Sequence, residues 1–156
     1  MNDTNRLERL IDRYENTLLR AALATLGDPY EAEDAVQDTF LCWLEKCPDF
    51  RDEGHEKAWL LTVCANRCKS ILRKRKRHPT VELQDIYPAP HRDSGEVAEA
   101  VFALPANQRA AVHLFYYEGY STEEIADILA QRPGTVRSHL SRARETLRQT
   151  LKGAEL

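Results

Sequence analysis

The chain has 156 residues, of which 30% are charged and 42% hydrophobic, and it carries a formal net charge of −3 with only six glycines. That length accommodates one ordinary domain or two small ones. No apolar run approaches the ~20 residues of a membrane span. The polar start, MNDTNRLERLIDRYENTLL, lacks the apolar stretch of a secretory signal, so a cytoplasmic protein without membrane insertion is expected.

Apolar residues recur at helical spacing throughout, which predicts an all-α protein. The first series is Leu7, Leu10, Ile11, Tyr14, Leu18, Ala22 and Leu26, an amphipathic helix ending near Gly27. Asp28-Pro29-Tyr30-Glu31 restarts the chain with a capping residue, a proline at the first helical position and an early acid. The second helix is expected to bury Ala32, Val36, Phe40, Trp43 and Cys47, and Cys47-Pro48 marks its end. A polar loop follows, PDFRDEGHE. A third helix is expected from about Glu56 to Arg77, with Leu60, Cys64, Cys68, Ile71 and Leu72 on its apolar side.

His78-Pro79 stops that helix. Residues 79–94 contain three prolines and few apolar side chains, so they read as a flexible acidic linker. A short helix over Gly95–Leu104 and another over Pro105–Glu118 come next, with Gly119 as a break. Ser121 and Glu124 form a capping box for the following helix. The last helix places Val136, Leu140, Ala143 and Leu147 on one face, to pack on Ile125, Ile128 and Leu129. The expected organisation is an N-terminal helical bundle, 1–78, the linker, and a C-terminal helix-turn-helix domain, 95–156.

Charge is segregated along the chain. Residues 1–66 hold seven basic and fourteen acidic residues, whereas residues 67–77 hold seven basic residues and no acid. Two faces then stand out as cationic. In the third helix Asn66, Lys69, Arg73 and Lys76 recur every three or four residues and form one stripe. In the last helix Thr135, Arg137, Ser138, Ser141, Arg142 and Arg144 lie away from the core face. A short turn ahead of a basic helix is the form that enters the major groove of DNA. The loop residues Phe50, Arg51, Asp52 and His55 offer an aromatic, polar surface suited to an unstacked base, a pattern shared with ordinary surface connections. On the second helix Asp34, Gln37, Asp38, Leu41 and Glu45 lie opposite the core. Periodicity alone makes that face either a solvated surface or an acidic surface for a protein partner.

Cys42 and Cys47 are five apart and Cys64 and Cys68 four apart, neither being the two-residue gap of structural zinc sites. They read as small buried thiols, with a cross-helix thiolate site or a redox switch as the alternative. No metal or other cofactor is expected. The chain has no P-loop, no H-E-x-x-H and no Gly-x-Ser-x-Gly, so an enzyme is not expected either.

Three segments together, AEDAVQDTFLCWLE, AWLLTVCANRCKSILRKRKR and LPANQRAAVHLFYYEGYSTEEIADILAQRPGTVRSHLSRARETL, resemble the extracytoplasmic-function sigma factors of bacterial RNA polymerase. The resemblance spans nearly the whole chain in the right order. It implies that Asp34, Gln37, Asp38 and Leu41 grip the clamp helices of the largest polymerase subunit, with a further contact between the chain and the polymerase flap. It implies that Phe50, Arg51, Asp52 and His55 capture an unpaired base of the minus-ten element, and that Asn66, Lys69, Arg73 and Lys76 hold the strands where they melt. Thr135, Arg137, Ser138, Ser141, Arg142 and Arg144 would read the minus-thirty-five element. An anti-sigma factor is a further implied partner. His139 stands where the family commonly has arginine, and Cys64 and Cys68 where it has small apolar residues. The competing expectation is a free-standing helix-turn-helix regulator whose N-terminal bundle binds a ligand or dimerises.

Overall fold

The computed structural model describes residues 3–77 and 95–154. The expected linker, 79–94, lies outside the described residues. Every element among them is helical: α1 Asp3–Leu26, α2 Pro29–Lys46, α3 Glu53–Arg77, α4 Gly95–Phe102, α5 Ala106–Val112, a π-helical turn His113–Tyr117, α6 Thr122–Leu129 and α7 Pro133–Ala154. The chain divides into two compact units between Lys74 and Arg75.

In the first unit, α1 packs along α2 and buries Leu10, Tyr14, Leu18, Ala22 and Leu26. The sharp reversal between the helices uses Gly27 at φ +72, a left-handed conformation that a Cβ disfavours. Asp28 then accepts a 2.9 Å bond from the Tyr30 N–H, with Pro29 opening α2. From α2 the core takes Val36, Phe40, Trp43 and a fully buried Thr39, whose hydroxyl is satisfied by the Ala35 carbonyl at 2.7 Å. α3 adds Leu60, Leu61, Cys64 and Cys68.

Three expectations for this unit need correction. Cys47 is half-buried and does not extend the core stripe of α2. It adopts a left-handed C-cap at φ 43, donating its N–H to the Trp43 carbonyl, and this turns it off the buried face. α3 starts at Glu53, three residues before the expected position, because the Asp52 carboxylate caps it with a 2.8 Å bond from the His55 N–H. Ile71 and Leu72 are half-buried.

In the second unit, α4, α5 and α6 all pack on α7. Val136, Leu140 and Ala143 are fully buried against Ile125, Ile128 and Leu129, whereas Leu147, one turn further on, is only half-buried. Ser121 and Glu124 make both bonds of the capping box. Arg109 is a basic residue spent on structure. Its Nη1 donates to the carbonyls of Phe102 and Leu104, tying the end of α4 to α5, and burial lowers its pKa. The expected single helix after Pro105 widens into the π-turn, where the Glu118 N–H reaches the His113 carbonyl at 3.1 Å. His113 stacks on Tyr117 at 4.9 Å and faces Glu118 at 3.6 Å within the unit.

Candidate nucleic-acid and polymerase interfaces

The helix-turn-helix is built from α6, a tight turn and α7. Ala130 ends α6 in the left-handed region at φ 55, and the Gln131 N–H returns to the Ala126 carbonyl at 2.9 Å. The Thr135 N–H then bonds the Arg132 carbonyl at 2.9 Å, starting α7. With Val136, Leu140 and Ala143 turned inward, helical geometry leaves Thr135, Arg137, Ser141, Arg142 and Arg144 exposed and Ser138 half-buried. Arg144 differs from its neighbours, because its Nη1 donates to the Tyr116 hydroxyl at 3.1 Å. Burial, and then Arg142, hold the His139 pKa below its ordinary value.

On α3, Asn66, Arg73 and Lys76 are exposed and Lys69 is half-buried. Burial and the nearby Arg73 both lower the Lys69 pKa. Arg73 is steadied by a 3.2 Å bond to the Ser70 hydroxyl. At the other end of α3 the loop residues gather around one ring. Phe50 meets His55 edge-on at 5.3 Å and Trp59 at 5.8 Å. The Arg51 N–H donates to His55 Nδ1 at 3.2 Å, so the imidazole braces the loop. Phe50 and Asp52 line a cleft of about 390 Å³ with Arg6, Asp49, Glu53 and Glu56. The sequence pattern pointed to the loop but not to Trp59 or the acids of α3. Trp59 lies one helical turn beyond His55, the spacing that would have signalled it.

On α2 the outward stripe is continuous. Asp34, Gln37 and Asp38 are exposed, Leu41 is 61% exposed and Leu44 38%. Tyr30, one turn before Asp34 and 68% exposed, extends the stripe and was not singled out by charge patterning. Large apolar side chains among acids, bare to solvent, mark a surface suited to a partner protein.

Two family patterns match the chain: Sigma-70 region 2 over residues 10–78 and Sigma-70 region 4 over residues 94–147. The ECF RNA polymerase sigma factor SigM of Mycobacterium tuberculosis is 34% identical over 154 residues, covering 96% of this chain and 79% of that protein. This chain belongs to the ECF sigma factors. The RNA polymerase sigma-H factor of Pseudomonas aeruginosa is 28% identical, covering 96% of this chain and 88% of its own length. Among solved structures, the sigma factor RpoE in complex with the anti-sigma factor NepR from Bartonella quintana is similar at a TM-score of 0.72 and 32% identity. That match covers 93% of this chain and 96% of RpoE. CnrH, solved with the cytosolic domain of CnrY, shares the fold at a TM-score of 0.66 and 22% identity.

In this sigma factor Cys64 and Cys68 are buried, and Cys42 and Cys47 half-buried, with no disulfide among them. The Cys64 pKa is lowered by hydrogen bonding with Cys68, against the opposing effect of burial. Among the described residues no group of three or more His, Cys, Asp or Glu is placed to hold a metal ion. Among them, too, no helix is long and apolar enough to cross a membrane.

Proposed function

We propose that this ECF sigma factor acts in the cytoplasm as a promoter-specificity subunit, binding core RNA polymerase and starting transcription without catalysis of its own. The observation that carries the reading is the pairing of region 2 and region 4 in one chain, each coinciding with a unit that exposes a cationic helix face. Asp34, Gln37, Asp38 and Leu41 form the acidic and apolar surface for the clamp helices of the largest subunit. A further contact joins the chain to the polymerase flap. Phe50, Arg51, Asp52 and His55 receive the unpaired base of the minus-ten element. Asn66, Lys69, Arg73 and Lys76 hold phosphates at the melting point. Thr135, Arg137, Ser138, Ser141 and Arg142 face the minus-thirty-five element, with Arg144 oriented by Tyr116.

Joining two weak DNA contacts on one polymerase gives specificity that neither has alone, because the second contact becomes intramolecular once the first is made. By analogy with the RpoE–NepR complex, an anti-sigma factor that covers these surfaces is the expected negative regulator. Run-off transcription with core polymerase tests the proposal. Initiation from a promoter that core alone ignores supports it. Tight operator binding without polymerase, and no initiation with it, would replace it with the free-standing regulator.

A further inference from the structure

A second cleft, of about 420 Å³, adjoins the Phe50 cleft and shares Arg6 and Glu56 with it. Its other lining residues are Arg9, Leu10, Arg13 and Trp43. The two clefts differ in charge. Around Phe50, Arg6 faces Asp49, Asp52, Glu53 and Glu56, a net negative lining that repels phosphate. The second cleft has three arginines and the single acid Glu56 in its lining; Glu56 accepts the Tyr14 hydroxyl at 2.9 Å and Arg13 is paired with Glu53 at 2.8 Å, so Arg6 and Arg9 carry the excess positive charge. Positions 6, 9 and 13 fall on one helix face, so the guanidinium groups form a row along α1. The row runs about 10 Å along the axis at the α-helical rise.

Beneath the row lies an unmet need. The Trp43 indole lines this cleft with the Arg6 guanidinium 5.3 Å from its ring centroid. Trp43 is only 2% exposed, and its Nε1–H is buried with no hydrogen-bond partner. A buried donor without an acceptor is costly and marks a place where an acceptor is missing. An anionic oxygen seated among the arginines answers the charge of the row, and the Trp43 ring beside Arg6 lies close enough to report it.

We propose that the Arg6–Arg9–Arg13 cleft over Trp43 holds the phosphate backbone of the single DNA strand next to the base captured at Phe50. This inference rests on the proposed function of the Phe50 loop. The acid-lined aromatic cleft takes the base and its exocyclic amino donors, and the arginine cleft takes the adjoining phosphates. DNA is favoured over a free small anion because the two clefts adjoin through Arg6 and Glu56, as one continuous strand requires.

The test uses the full chain assembled with core polymerase and labelled single-stranded oligonucleotides. One oligonucleotide carries only the minus-ten segment; two others extend it by three nucleotides on the 5′ or the 3′ side. Extension on one side should raise affinity roughly tenfold at low salt and steepen the log-log salt slope by about 0.7 per added phosphate contact. Arg9→Ala, which lines the arginine cleft and not the Phe50 cleft, should remove most of that gain while leaving the short oligonucleotide's affinity unchanged. Arg9 is exposed, so the fold tolerates its loss. Arg20→Ala, outside the cleft on the same helix, should retain the gain. In the full chain without polymerase, Trp59→Phe leaves Trp43 as the sole tryptophan, whose emission should change with the extended strand.

An extension gain that survives in full in the Arg9→Ala variant, or no gain on either side, overturns the inference while leaving the base-capture reading intact. Failure of the short oligonucleotide to bind removes that reading and this one together. Saturable binding of inorganic pyrophosphate that alters Trp43 emission, with no response to extended DNA, reassigns the cleft to a small anion.

Discussion

Asp52 has two demands on one carboxylate. Its Oδ1 caps α3 through the His55 N–H, and the same residue lines the cleft beside Phe50. Asp52→Ala should cost about 1 kcal/mol of stability through the lost cap, measured by urea unfolding. Asp52→Asn should restore the stability but not minus-ten strand binding if the charge itself matters to the base. Tyr14 makes a different test. Burial first, and then its bond to the Glu56 carboxylate, push its pKa up to about 12 from 10.0. The folded state therefore keeps a proton that the unfolded chain releases. Stability from this group is fully present below pH 10 and is lost as pH rises from 10 to about 12. Tyr14→Phe should lose about 1 kcal/mol at pH 7 through the missing hydrogen bond and show a shallower decline across that alkaline window. Both tryptophans of the chain, Trp43 and Trp59, lie in the first unit, so their emission reports its unfolding directly.

At the scale of elements, the fate of each helix face follows from what the other face must bury. α2 commits Val36, Phe40 and Trp43 inward, which forces Asp34, Gln37, Asp38 and Leu41 outward as one stripe. Replacing Asp34, Gln37 and Asp38 together with alanine should leave helix content by circular dichroism unchanged, because all three side chains are exposed. Association with core polymerase should fall by about tenfold or more, as expected when charged contacts of an interface are removed, read by co-elution or surface plasmon resonance. Unchanged association would remove the partner assignment of this face. α7 follows the same logic with opposite charge, and its period alone located Thr135, Arg137, Ser141 and Arg142 on the outer surface. The period did not show that Arg144 would be held by Tyr116, since that bond joins residues 28 apart. Nor did it show that α3 begins at Glu53, which depends on a single capping carboxylate.

At the scale of the whole molecule, each of the two compact units buries its own set of apolar side chains. Leu140 is 1% exposed at the centre of the second core. Leu140→Ala should destabilise that unit by about 2–5 kcal/mol through the cavity it leaves. Far-ultraviolet circular dichroism should then show an early transition in urea, while the tryptophan transition of the first unit stays at its original midpoint. A single shifted transition in both signals would mean that the units unfold as one. The separation also suits the proposed work, because two small DNA contacts on one polymerase can each be weak and still select a promoter jointly.

Local and periodic information was enough for the helices, their order, the Gly27 and Gly119 breaks, the capping box at Ser121 and the two cationic faces. These depend on neighbours within one or two turns, and spacing of three and four residues records them. What only the tertiary structure decided was what distant segments build together. The row Arg6, Arg9 and Arg13 is visible in α1, but its site exists only because Trp43 of α2 and Glu56 of α3 complete the walls. The half-burial of Ile71, Leu72 and Leu147 was decided in the same way. A helical period says which residues share a face, but burial depends on how far a neighbouring helix reaches along it.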